Sequence, residues 1–260
     1  MAATLQVSSH RNWQRGMRKA SVSAQLTRQA RKFSAAFVPQ LTRLDPITTL
    51  TKRRKLLIRI ADIEQLQQAL KQYIVHSSGF FDPIDFEILD EQTEVVVLTA
   101  QLYADELVLF EGTKRLLTIC LAEADTDADD STVAKIRHPV SGIKVFEIVN
   151  ACRSFYITNL TSEHSKCQFA THSNCWRHLL SMCGCMFGPD YWMVDQEGVN
   201  VGKVTPNSAF FEENGIRVEW CDEADAELRM LILCIGLVQI IREAFPPLLQ
   251  LLKETKLRRI

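Results

Sequence analysis

No apolar stretch in this chain is long enough to cross a bilayer as a helix. The longest, Leu228 to Ile241, holds about 14 residues against the roughly 18 to 20 required, and Arg229 and Gln239 interrupt it. The amino terminus has no apolar run of signal-peptide length. Also lacking are a Gly-x-Ser-x-Gly elbow, a Gly-rich phosphate loop, a His-Glu-x-x-His pair and any two carboxylates with evident catalytic partners, so the chain reads as a non-enzyme. Acids are nearly absent from the first 59 residues, where thirteen Lys or Arg stand against Asp45 alone; residues 60 to 260 carry seventeen basic and thirty acidic groups. The net charge of −1 therefore conceals a basic arm on an acidic body.

Residues 1–59 form the arm. Arg11, Arg15 and Arg18, with Lys19, Arg28, Arg31 and Lys32, lie among Ser, Ala and Gln. Two readings fit that composition: an organelle transit peptide, or a mostly disordered tail that touches anionic lipid or nucleic acid by charge. A second cluster, Lys52, Arg53, Arg54 and Lys55, adds to the candidate membrane contacts. No motif points to specific nucleic-acid recognition.

Eight cysteines without a signal peptide favour free thiols in a reducing compartment. His164, Cys167, His172, Cys175 and His178 crowd together near Cys183-Gly184-Cys185, which admits a metal site or a thiol–imidazole pair; no familiar zinc spacing is present, and Cys as a small strand hydrophobe is the plainer reading.

From Ile60 to about Val75, the spacing of Ile63, Leu66, Leu70 and Tyr73 predicts an amphipathic lead-in helix ahead of the body. Between Phe80 and Trp220 follow about ten short apolar runs, among them Phe86–Leu89, Val95–Leu98, Leu116–Cys120, Ile143–Val149, Tyr191–Val194 and Ile216–Trp220, separated by polar turns. Such text predicts an antiparallel sandwich or barrel. Too few helical segments alternate with these runs for βαβ crossovers, which excludes a doubly wound sheet. A weak echo links Phe86-Glu87-Ile88-Leu89-Asp90 to Tyr191-Trp192-Met193-Val194-Asp195, as duplication or shared turn chemistry would produce.

The closing helix, Asp225 to Ala244, is apolar on every side and must be surrounded, by lipid or by protein. Its length and its ends favour protein: acids at Asp222, Glu223, Asp225 and Glu227 suit the dipole at its start, and Pro246-Pro247 terminate it. Leu228, Leu231, Ile232 and Ile235 are then buried, with Cys234 and Gly236 permitting close approach of a strand. Residues 245–260 read as an amphipathic tail with a leucine face and a basic end.

Cys152-Arg153-Ser154-Phe155-Tyr156-Ile157-Thr158-Asn159, then Cys175 and Cys183-Gly184-Cys185, then Tyr191 through Val204, and last Asp225 through Leu233, in this order, resemble the phospholipid scramblase family, whose domain is related to the tubby-type barrel. Phe80 and Phe86–Asp90 look like its first barrel strand, and Phe110–Ile119 like a later one; the likeness covers roughly residues 75 to 243. It implies a mainly β fold, a closed antiparallel barrel of about twelve strands around the central C-terminal helix, spanning residues 60–244. It also implies phospholipid scrambling that is ATP-independent and calcium-responsive, a phospholipid membrane as partner, and a mitochondrial location or the cytosolic face of the plasma membrane. The family's acidic calcium motif falls on Glu212-Glu213-Asn214-Gly215-Ile216, where two carboxylates and an amide are the candidate calcium ligands and a solvated acidic turn is the alternative. The family's multi-cysteine run would fall near Ala134–Pro139, which holds no cysteine. A second expectation is a non-enzymatic barrel that binds anionic headgroups or protein partners, or self-associates, with the basic arm and Arg153, Lys203 and Arg217 as candidate contacts, the last three being ordinary solvated charges on strand faces in the plainer reading.

Overall fold

The computed structural model describes residues 43–76, 81–103, 106–121, 132–151, 154–161, 166–171, 191–194, 199–206, 215–244 and Leu248. The chain divides into the units Met1–Arg43 and Leu44–Ile260, and the secondary structure described below belongs to the second. The division expected at residue 59 is therefore displaced to residue 43. Residues 44–59, read as part of a disordered arm, contribute a helical turn α1 (Thr48–Thr51) and a strand β1 (Lys55–Ile60).

A helix α2 (Ile63–His76) follows β1 rather than leading into the body. Of its expected stripe, Leu66 is buried and Leu70 half-buried beside Ala69, whereas Ile63 is exposed. Ile60, placed on that helix from its spacing, ends β1 instead. Eleven further strands complete the sheet: β2 (Ile84–Asp90), β3 (Val96–Leu102), β4 (Glu106–Glu111), β5 (Lys114–Leu121), β6 (Thr132–Arg137), β7 (Lys144–Ala151), β8 (Ser154–Asn159), β9 (Lys166–Thr171), β10 (Tyr191–Val194), β11 (Asn200–Pro206) and β12 (Gly215–Trp220).

The fold is mainly β, every strand pair is antiparallel, and each strand bonds to its sequence neighbours. Because β1 pairs with β2 (Ile58↔Ile88) and also with β12 (Ile58↔Ile216), the order returns on itself as a closed barrel. Period-two burial sets which face looks inward: Ile84, Phe86 and Ile88 on β2 and Ile216, Val218 and Trp220 on β12 are buried, while Asp85, Glu87, Arg217 and Glu219 alternate with them on the outside. Register shifts at Ile88/Leu89, Leu109/Phe110 and Met193/Val194 add the local twist a curved sheet requires.

Two of these shifts occupy matching places in the sequence echo, between Ile88 and Leu89 in β2 and between Met193 and Val194 in β10. The echoing hairpins stand eight strands apart in a ring of twelve, not at the half-way offset of a barrel duplicated as two halves. The stretch from Phe110 to Ile119, likened to one strand, is a hairpin instead: Gly112 takes φ +58° at the first position of a two-residue turn between β4 and β5.

The last helix, α3 (Ala226–Gln239), continues into a π-helical turn, Ile240–Ala244. Asp225 caps it, its carboxylate accepting a hydrogen bond from Leu228 N at 2.7 Å. Every residue from Met230 to Gln239 is buried, Leu231, Ile232 and Ile235 among them, while Leu228 is half-buried at the mouth. The helix lies against the inner face of β1 and β12, where a Cβ added to Gly236 would stand 2.5 Å from Val218 Cγ1 and 2.8 Å from Ile58 Cδ1. Arg229 anchors the helix start by donating to the carbonyls of Leu50 and Thr51 in α1, as well as to those of Asp222 and Ala224. Leu248, in the tail expected to be amphipathic, is buried in the same core.

An N-cap carboxylate satisfies a backbone donor that is otherwise orphaned. Asp225→Ala is expected to lower unfolding free energy by about 1 kcal/mol, and Asp225→Asn by less, in denaturant titrations. Equal stability of the Ala variant and the parent would dismiss the cap.

Candidate anion-binding basin

Outward side chains of β11, β12 and β1 form a cross-strand ladder at one end of the barrel. Lys203 is opposite Glu219, and Glu219 is opposite Lys55, whose Nζ lies 3.3 Å from a Glu219 oxygen. The ladder borders an open depression of about 240 Å³ lined by Arg54, Lys55, Asn200, Lys203, Glu219 and Cys221, with Val201, Gly202 and Trp220 completing the wall. The wall thus holds three cations and the carboxylate of Glu219, with a second carboxylate, Asp222, paired to Arg54 at the rim.

The backbone fixes this arrangement. Trp220 points inward and its Nε1 donates to Arg53 O at 2.7 Å, its amide donates to Arg54 O at 3.0 Å, and Cys221 N donates to Val201 O at 3.1 Å, so the start of β1, the end of β12 and the start of β11 are held together. Gly202 is required from behind: Ile232 of α3 occupies the place where its Cβ would project. The helix thereby packs directly behind the strand that lines the basin.

Around the rim, Arg54 pairs with Asp222 and Arg53 with Asp90 at 3.2 Å. Arg54, Asp222 and Lys55 are substantially exposed, and exposed pairs of this kind are worth only about 0 to 1 kcal/mol. Little folding energy is therefore committed to keeping them intact, and an external anion with several acceptor oxygens can compete with Glu219 and Asp222 for the same donors.

Of the basic residues singled out in the sequence, Arg54 and Lys55 line the basin together with Lys203, which belonged to the separate headgroup reading. Arg53 stands at the rim through its carbonyl, and exposed Lys52 lies outside the basin wall. Arg217 is not part of it and pairs with Glu91. Arg11, Arg15, Arg18, Arg153 and the calcium candidates Glu212, Glu213 and Asn214 lie outside the described residues, as do His164, His172, Cys175, His178, Cys183 and Cys185. Among the described residues no group of three or more His, Cys, Asp or Glu is placed to hold a metal, and no helix is long and apolar enough to cross a membrane. Asn200 and Cys221 joined the site without notice from the sequence; the available signal was their position at the ends of strands whose registers meet.

Comparison with family models, with characterised proteins and with solved structures finds no match for this chain.

Proposed function

We propose that this chain is a non-enzymatic barrel of the phospholipid-scramblase type that works at a phospholipid surface, and that the basin beside β11, β12 and β1 takes the phosphate of an anionic headgroup. The observation that carries the reading is the trio Arg54, Lys55 and Lys203 gathered in an open depression, where Arg54 and Lys55 are held by exposed pairs to Asp222 and Glu219. A phosphate there accepts hydrogen bonds from two ammonium groups and a forked guanidinium, displacing pairs that cost little to break. Its volume, below the range typical of enclosed drug-sized sites, suits a small polar group presented from a surface.

Each Lys or Arg near an anionic membrane contributes about 1 kcal/mol, so Lys55→Glu with Lys203→Glu is expected to weaken binding to phosphatidylserine vesicles at least about tenfold in flotation assays. Added salt should weaken the parent in the same direction. Flotation of the double variant equal to the parent's would reject the basin as the contact.

A second reading, in which the chain itself passes phospholipid between leaflets in response to calcium at Glu212, Glu213 and Asn214, is supported by the resemblance alone. Transbilayer passage needs a polar path for the headgroup. With α3 buried among the core residues, its insertion into lipid would open the apolar interior to water, a large unfavourable exposure. Dithionite quenching of labelled lipid in proteoliposomes tests this reading, and acceleration over empty vesicles that depends on calcium would favour it over headgroup binding alone.

A further inference from the structure

Antiparallel order puts alternate connections at the same end of the barrel. The turns β2–β3, β4–β5, β6–β7, β8–β9 and β10–β11 share one end, together with the start of β1, the end of β12 and hence the basin. That end also carries most of the exposed large apolar side chains of the described residues. Val140 and Ile143 in the β6–β7 turn are 84% and 40% exposed, Leu160 after β8 is 45% exposed, and Val199 before β11 is 51% exposed. These three turns are consecutive around the ring, and the last adjoins Asn200 of the basin.

The foremost of them is held firmly. His138 N donates to Ile143 O at 2.9 Å, Gly142 N donates to His138 O at 3.0 Å, and the His138 ring accepts from Ser141 N at 3.1 Å. Gly142 takes the φ of +66° that closes the turn. A built turn therefore presents Val140 almost fully to solvent.

We infer that the barrel docks end-on against an anionic phospholipid bilayer, with Val140, Ile143, Leu160 and Val199 entering the interface while Arg54, Lys55 and Lys203 meet the headgroups. This rests on the headgroup reading above and adds the face and the orientation. Separate apolar tips, each set among polar residues such as Ser141, Asn159, Thr161 and Asn200, lack the continuous core of a protein interface but suit a fluid surface that each can enter independently. The described residues of the three turns include no carboxylate, and Lys144 begins β7 directly after the first of them. Glu163, Asp195 and Glu197 complete two of these connections in sequence and lie outside the described residues. The described acids at this end include Glu91, Glu94, Asp222, Glu223 and Asp225 beside the basin, where Glu91 and Asp222 pair with Arg217 and Arg54, and Glu111 at the end of β4.

The test is flotation of the full chain with phosphatidylcholine vesicles, with and without phosphatidylserine. The surface variant Val140→Ser, Ile143→Ser, Leu160→Ser, Val199→Ser should bind the anionic vesicles at least about tenfold more weakly than the parent, with an unchanged melting temperature. Ile63→Ser with Tyr103→Ser, exposed residues on α2 and at the opposite end, should bind as the parent does. If the parent floats and the four-site variant floats equally well, the end-on docking is wrong while headgroup binding stands. A parent that does not float at all removes both.

Discussion

Leu233→Asp is expected to leave the chain without a stable barrel. Leu233 is fully buried on a helix whose every residue from Met230 to Gln239 is inaccessible to water, so no rotation of the helix offers the carboxylate a solvated side. An unpaired buried charge costs several kcal/mol even after the group protonates and neutralises, which is comparable with the roughly 5 to 15 kcal/mol that holds an ordinary domain together. Leu233→Met, which preserves volume, should cost less than about 1.5 kcal/mol. Near-ultraviolet circular dichroism and limited proteolysis separate the two. The neighbouring Cys234 supplies an internal reporter, since burial pushes its thiol pKa up to about 12 and keeps it from reagents in the native state. Peptide-resolved alkylation should find Cys234 protected in the parent and modified in Leu233→Asp. A cooperative melt of the Asp variant within a few degrees of the parent would mean that the helix is not where the core is built.

Gly236→Val is expected to destabilise the domain by about 3 kcal/mol. In an exposed helix the change would gain stability, because glycine is among the poorest helix formers. Here the sign reverses. The new Cβ stands 2.5 Å from Val218 Cγ1 and 2.8 Å from Ile58 Cδ1, and the β-branched Val218 side chain has few rotamers with which to retreat. Gly236→Ala, which adds the same Cβ without the branches, should fall between parent and Val variant. Chemical denaturation with an unchanged slope gives the comparison, and a Val variant as stable as the parent would show that α3 does not pack directly on β1 and β12.

The amount of this fold legible beforehand varied from element to element for physical reasons. Strands such as β2 and β12 announced themselves by alternation, and α3 by being apolar all round with a carboxylate at its start. β1 escaped notice because its outward residues, Lys55 and Arg59, continue the charge of the arm, and only the structure reveals their partners Glu219 and Glu87. β4 escaped for the opposite reason: Leu107, Val108 and Leu109 are all buried, and a strand covered on both faces loses its period of two. The basin was legible only as scattered cations. Lys55 and Lys203 lie far apart in the chain and meet through Glu219 by register, a quantity that no local pattern encodes.

Closure of the barrel by Lys55↔Glu219 and its neighbouring pairs also dictates an order of events during synthesis. β1 emerges early and waits for β12, and the helix that fills the interior follows later still. Until then, the nascent chain can form successive local hairpins but has neither its last seam nor its core. Its search for the native state is dominated by one long-range pairing, which places the slowest step of folding after β12 and α3 have been made and leaves the apolar inner faces of the earlier strands in need of protection until that moment.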